Sequence, residues 1–294
     1  MRKVVATQRV LPRRRGNMIT RSFALGCYCL ALCTSAMAGK GESTEPHPHN
    51  GLSVPYQPGP PAVKLSSSNL ALLDDGKMVQ EALKVAQAQG SPAGRALAVQ
   101  DIAAPPEYVW DRILDFGNYK NMVPKVDDCY NYYTESFKNE TQVIKTRLRL
   151  NIYGLKFDNY IYHTYFPSMD SLTWTLDYSR KSSLDDSVGF WYVEPHPSDA
   201  QEKVDWSRLF YSVQLTVPSW VPGIVMNYLQ KKAVKEATTW VKRESETLFK
   251  KDLANGRRLP SKRGKGLGGL GPLRAGPAIE APGWLPKWGA AKEA

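Results

Sequence analysis

The chain has 294 residues, 39 Lys and Arg against 28 Asp and Glu, and a formal net charge of +11. Seven of the cations fall in the first 38 residues, which hold no acid, and residues 250 to 294 hold ten against three, so residues 39 to 249 carry −3. A nucleic-acid footprint needs a basic face on a folded domain, and here the folded body is mildly acidic, which excludes nucleic acid as a partner.

Residues 1 to 38 have the pattern of a signal peptide: a basic start, the apolar run "SFALGCYCLALC", and Ala36 and Ala38 framing a small-residue cleavage site. The run is about a dozen residues, short of the roughly 20 that span a bilayer. Met18 offers an alternative start that leaves the signal intact. The expected destination is the secretory pathway or secretion, with the plastid of an alga, reached through a signal peptide, as the alternative.

Cys27, Cys29 and Cys33 lie in that segment, which leaves Cys129 alone and no internal disulfide. Metal sites need clustered ligands; of His47, His49, His163 and His196 only His47 and His49 are close, and that "HPH" pair lies in a Pro-rich linker. Neither a metal nor a cofactor is expected.

Residues 39 to 75, rich in Gly, Ser, Pro and His, are expected to form a disordered leader. Over residues 76 to 92, Met78, Val79, Ala82, Leu83 and Ala86 recur at helical spacing with Gly90 as a stop, which predicts a helix; a short strand pair is the alternative. "RALAVQDIAA" alternates at Leu97 and Val99 and predicts a strand, and "PPEYVWDRILDFGNY" predicts a helix with Pro105 and Pro106 in its first turn.

A series of antiparallel strands follows. "CYNYYTESF" and "TQVIKTRLRLNIY" flank the tight loop "KNE", where Asn139 opens an N-glycosylation acceptor, "NET". A turn at Gly154 and Leu155 would pair Ile152 with Phe157, Leu150 with Asn159 and Leu148 with Ile161; a four-residue loop at "FPSMDS" would pair Tyr165 with Leu172, His163 with Trp174 and Ile161 with Leu176. Paired residues share a face. Both hairpins therefore gather Leu148, Leu150, Ile152, Phe157, Ile161, His163, Trp174, Leu176 and Tyr178 on one side, with Asn159 as a second inward polar group.

The strand "SVGFWYVE" is apolar on both sides, and the next carries Leu209, Tyr211, Val213 and Leu215 on its apolar face. A single long helix after Gly223, with Val225, Leu229, Ala233, Glu236 and Trp240 on one stripe, closes a domain expected over residues 76 to 250. Residues 251 to 294 are Gly- and Pro-rich, basic and expected to be disordered, with Trp284 and Trp288 able to meet a membrane surface.

"VQDIAAPPEYVWDRILDFGNYKNMVPKV" resembles the opening of START-like proteins, in particular the polyketide cyclase and coenzyme Q-binding branch of the superfamily. "SLTWTLDYSRKSSLDDSVGFWYVEPHP" and "WVPGIVMNYLQKKAVKEATTWVKRESE" are similar to its plant and algal lipid-transport-like members. The resemblance covers roughly residues 95 to 249. It implies an α+β helix-grip fold, a curved antiparallel sheet wrapped around a long C-terminal helix, with a hydrophobic cavity between them.

In such a fold the cavity would be lined by Leu148, Leu150, Ile161, His163, Trp174, Leu176, Phe190, Tyr192, Tyr211, Val213, Leu215, Val225 and Leu229. The expected function is non-enzymatic binding or transport of a lipid, quinone or isoprenoid by a monomer, with membrane-surface contact through the basic tail. The alternative is a polyketide cyclase or aromatase that uses the same cavity, with His163 as its proton carrier. Asp185 and Asp186 do not make an acid/base pair: adjacent strand residues point to opposite faces, and the neighbouring serines favour a turn. No "GxSxG", "HExxH" or phosphate loop occurs.

Overall fold

Of the helix or short strand pair expected over residues 76 to 92, the described part, residues 76 to 84, holds no helix, and Val79–Lys84 forms the first strand of a sheet. A computed structural model describes residues 43–48, 53–84, 93–198 and 200–260; the expected signal peptide and residues 261–294 of the tail lie outside the described residues. Of the two units into which the chain divides, Met1–Glu42 is likewise outside them, and everything below concerns Ser43–Ala294. After a short helix α1 (Ser67–Asp74), capped by the Ser66 hydroxyl on the Asn69 N–H, comes β1 (Val79–Lys84), antiparallel to β2 (Ala93–Ile102) with Val79 opposite Val99. Met78 packs with the core on one face of the sheet and Val79 with the cluster on the other. Apolar neighbours split between two faces are what a strand makes of a pattern that also fits a helix.

The helices α2 (Pro106–Leu114) and α3 (Tyr119–Met122) carry the chain to the far edge. From there β3 (Val126–Ser136), β4 (Gln142–Ile152), β5 (Leu155–Phe166), β6 (Ser171–Leu176), β7 (Asp186–Pro195) and β8 (Ser207–Thr216) wind back until β8 pairs with β2. The order is β1-β2-β8-β7-β6-β5-β4-β3, antiparallel throughout.

The β5–β6 hairpin has the expected register, with His163 opposite Trp174 and Ile161 opposite Leu176. The β4–β5 hairpin differs. Its turn is Tyr153-Gly154, with φ of 52° and 85°, the left-handed pair that a two-residue hairpin turn requires. Ile152 therefore pairs with Leu155, Leu150 with Phe157 and Leu148 with Asn159, two residues from the predicted partners. An even slip leaves every side chain on its expected face.

The closing helix is two helices, α4 (Gly223–Lys231) and α5 (Ala233–Ala254), separated at Lys232 with φ −110°. They serve different clusters. Val225, Tyr228 and Leu229 of α4 pack with Ile152, Phe157, Leu184, Val217 and Val221, whereas Val234, Trp240, Val241 and Phe249 of α5 join the main core with α2 and the inner face of the sheet. Phe249 and Asp252 are buried and Leu259 N–H donates to the Tyr108 hydroxyl at 2.9 Å, so the folded region runs past the expected boundary at 250.

The leader expected to be disordered is ordered where it is described. Tyr56, Val63 and Leu65 lie with Leu73 over Val79, Val99, Phe190, Tyr192 and Phe210 on the outer face of the sheet. The Tyr56 ring sits 4.9 Å from that of Phe190 and its hydroxyl is 2.8 Å from Ser212 Oγ. The buried His47 bridges the Ser182 N–H and the Asp185 carbonyl. A strand apolar on both sides needs cover on both sides, and this segment supplies the second.

Candidate ligand site

The inner face of the sheet is built by strand alternation. It presents Leu150, Leu148 and Thr146 from β4; Phe157, Asn159, Ile161 and His163 from β5; Leu176 and Trp174 from β6; Trp191 and Val193 from β7; and Leu215, Val213 and Tyr211 from β8. Trp174 lies flat on this face because residue 189 is glycine. A Cβ there would come within 2.1 Å of the indole and 2.5 Å of the Ser212 carbonyl. The indole N–H donates to Ser187 Oγ at 3.2 Å, and Trp174, Trp191 and Tyr211 form an aromatic wall with Trp191 and Tyr211 4.2 Å apart.

Phe190 and Tyr192, expected in the cavity, are on the opposite face beneath Tyr56 and α1. With Gly189 opposite Trp174, the period of two assigns 191 and 193 to the inner side and 190 and 192 to the outer. Tyr178 also leaves the expected face: β6 ends at Leu176, and the Tyr178 hydroxyl donates to Asp186 Oδ1 at 2.8 Å, next to His47. Asp186 is buried at the start of β7, while the Asp185 carboxyl is pushed up by burial. They act as the entry to a strand, not as an acid/base pair.

Packing along the inner face is uneven. Under α2, Val109, Ile113, Leu172, Val193 and Leu209 are 0% exposed. In the middle, Ile161, Trp174 and Trp191 keep 8% and Val213 7%, while Leu148, Leu150, Tyr211 and Leu215 are only half-buried. Leu150 and Leu215 touch both the α5 cluster and the α4 cluster. These residues lie on the face of the sheet that packs with the helices, where Leu148, Leu150, Tyr211 and Leu215 border the helix-bearing core without being fully buried in it. Val225 and Leu229 are buried in the α4 cluster, and Leu176 is fully buried. At the joint of α4 and α5 a cleft of about 340 Å³ is lined by Pro124, Lys232, Lys235, Glu236, Thr239, Trp240 and Arg243; Trp240, 5.2 Å from Tyr119, also packs in the core.

The polar groups on the inner face are few. His163 Nε2 is 3.1 Å from Thr146 Oγ1, its ring lies 4.6 Å from Phe116, and Nδ1 is buried without a hydrogen-bond partner. Burial pulls its pKa down to about 3, so the ring is neutral. Asn159 Oδ1 accepts the Leu184 N–H at 3.1 Å. Tyr119 donates to the Ile113 carbonyl, and burial raises both Tyr119 and Tyr211 above the ordinary tyrosine range. Cys129 is buried and its thiol is pushed up to about 12, so it is protonated. Among the described residues no cluster of His, Cys, Asp and Glu could hold a metal ion, and no helix is long and apolar enough to cross a membrane. Asn139 is exposed in the β3–β4 turn.

Residues 95 to 246 match the family model for polyketide cyclase / dehydrase and lipid transport proteins. The chain belongs to that family. Solved structures similar to this polyketide cyclase and lipid-transport family member include a START superfamily protein from Mycobacterium smegmatis (16% identity, 58% of this chain and 98% of that one, TM-score 0.41). They also include the Zhui aromatase/cyclase of a Streptomyces species (12%, 57% and 100%, TM-score 0.43) and a STAR-related lipid transfer protein from Xanthomonas axonopodis (14%, 56% and 98%, TM-score 0.41). No curated protein matches the sequence. The antiparallel sheet with α5 across one face is the expected helix-grip arrangement.

Proposed function

We propose that the chain is a non-enzymatic, monomeric carrier or sensor of an apolar small molecule, a lipid, quinone or isoprenoid, held between the inner face of the sheet and the helices α4 and α5. The observation that carries this reading is the residual exposure of Leu148, Leu150, Tyr211 and Leu215 on strands roofed by helices. A mostly apolar lining with a few polar groups suits such a ligand, and membership of a family that includes lipid-transport proteins supports the class. A panel of fluorescent fatty-acid, sterol and quinone analogues tests it. Leu150→Trp should fill the space and weaken the best binder at least tenfold in a protein that still folds; a panel with no binder would refute the reading.

The cyclase alternative needs a group that moves protons at the working pH. His163, held neutral down to about pH 3 with Nε2 on Thr146, is poorly matched to that task. We also propose the secretory route as the destination. A glycan on the exposed Asn139 would support it and distinguish it from the plastid. The basic tail remains a proposed membrane contact, tested by loss of liposome binding when residues 261 to 294 are removed.

A further inference from the structure

The inner face contains a hydrogen-bond donor with nothing to donate to. Asn159 is 1% exposed; its Oδ1 accepts the Leu184 N–H at 3.1 Å, and its Nδ2 is buried without a partner. The backbone donor settles the orientation of the amide, because the flipped group would set N–H against N–H. The side chain is thus anchored by its oxygen, and its neighbours on this face of the sheet are apolar: Leu148 directly across the β4–β5 pair, Phe157 and Ile161 two residues away on β5. Leu148 is one of the half-buried residues that border the helix-bearing core. A buried donor left without an acceptor is costly and uncommon in native proteins, which makes Asn159 the position where an acceptor is missing.

We infer that Asn159 is the polar anchor of the site and that the ligand brings it an acceptor oxygen of the carbonyl type, as in a ketone, ester or quinone, on an otherwise apolar body. This rests on the binding reading above and narrows it. An amide NH2 offers hydrogens and no lone pair, so its complement is an oxygen that only accepts; a hydroxyl would bring a proton that itself needs a partner. His163 Nδ1, a second orphaned nitrogen on β5, does not share the task. It lies four residues along β5, about 13 Å away at strand rise, behind the Phe116 ring.

Two fluorophores separate the possibilities: the naphthyl ketone PRODAN, whose carbonyl accepts hydrogen bonds and whose emission reports them, and diphenylhexatriene, a hydrocarbon with no acceptor. Both are titrated into the full chain, the Asn159→Leu variant and the Asn159→Asp variant, which keeps an acceptor for the Leu184 N–H. Both probes should bind the native chain. Each substitution should weaken PRODAN about tenfold, the scale of one buried hydrogen bond, shift its bound emission to the blue, and leave diphenylhexatriene unchanged. Equal loss of both probes would make Asn159 a packing residue and overturn the inference, as would undiminished PRODAN binding. Failure of the native chain to bind either probe would refute the binding reading itself, and the anchor with it.

Discussion

A histidine ring 4.6 Å from Phe116, with one nitrogen on Thr146 and the other buried, is kept neutral because burial penalises its charged form. The unfolded chain binds that proton more readily. Stability is therefore complete above the ordinary value of 6.5 and declines as pH falls toward about 3, by about 1.4 kcal/mol per pH unit. The carboxylates act lower. Burial pushes Asp101 up, but hydrogen bonds and charge from Arg208, with His196, hold it below its ordinary 3.8; Asp177 is likewise raised by burial but held below 3.8 by Ser179, Tyr132 and Lys145. Their contribution is present above 3.8 and lost below it. His163→Gln should therefore flatten the loss of stability between pH 6.5 and about 4 in chemical denaturation, and an unchanged slope would contradict the burial. Gly189→Ala tests the floor under Trp174: with an indole at 2.1 Å and a backbone oxygen at 2.5 Å, overpacking should cost at least about 2 kcal/mol, and a neutral result would mean that the indole lies elsewhere.

The hairpins were the most legible elements, because two alternating strands and a known loop length constrain one another: Ile161, His163 and Trp174 follow from the β5–β6 pair alone. The two-residue slip at Tyr153-Gly154 escaped prediction because a non-glycine residue at φ 52° leaves no clear mark in the sequence, yet the face assignments survive it. Phe190 and Tyr192 went to the wrong side because a strand apolar on both faces carries no parity of its own; pairing Gly189 with Trp174 would have supplied it. The outer-face segment was illegible for a related reason, since Tyr56, Val63 and Leu65 are sparse apolar residues in a Pro-rich stretch and only the surface they cover gives them meaning. Tyr56→Ala should lower stability by about 2 kcal/mol and open the Phe190 and Tyr192 face to proteolysis, while apolar ligand binding on the inner face stays unchanged. Loss of ligand binding in that variant would contradict the separation of the two faces.

At the scale of the molecule, one sheet has two covers of different kinds. The outer face is closed by the chain's own N-terminal segment, which lies outside the region matched by the family model. The inner face is roofed by helices in two clusters whose shared members, Leu150 and Leu215, remain half-buried. This asymmetry is the basis for proposing ligand binding on the inner face and packing alone on the outer. The inner face also fits binding better than proton chemistry, since its buried tyrosines, thiol and imidazole are all held in their neutral forms. Native mass spectrometry of the chain purified from a lipid-containing host, followed by denaturation and identification of what is released, tests this most directly. The account predicts a stoichiometric apolar compound carrying a carbonyl-type oxygen, reduced in Leu150→Trp; an empty chain that also refuses such compounds when they are supplied would contradict it.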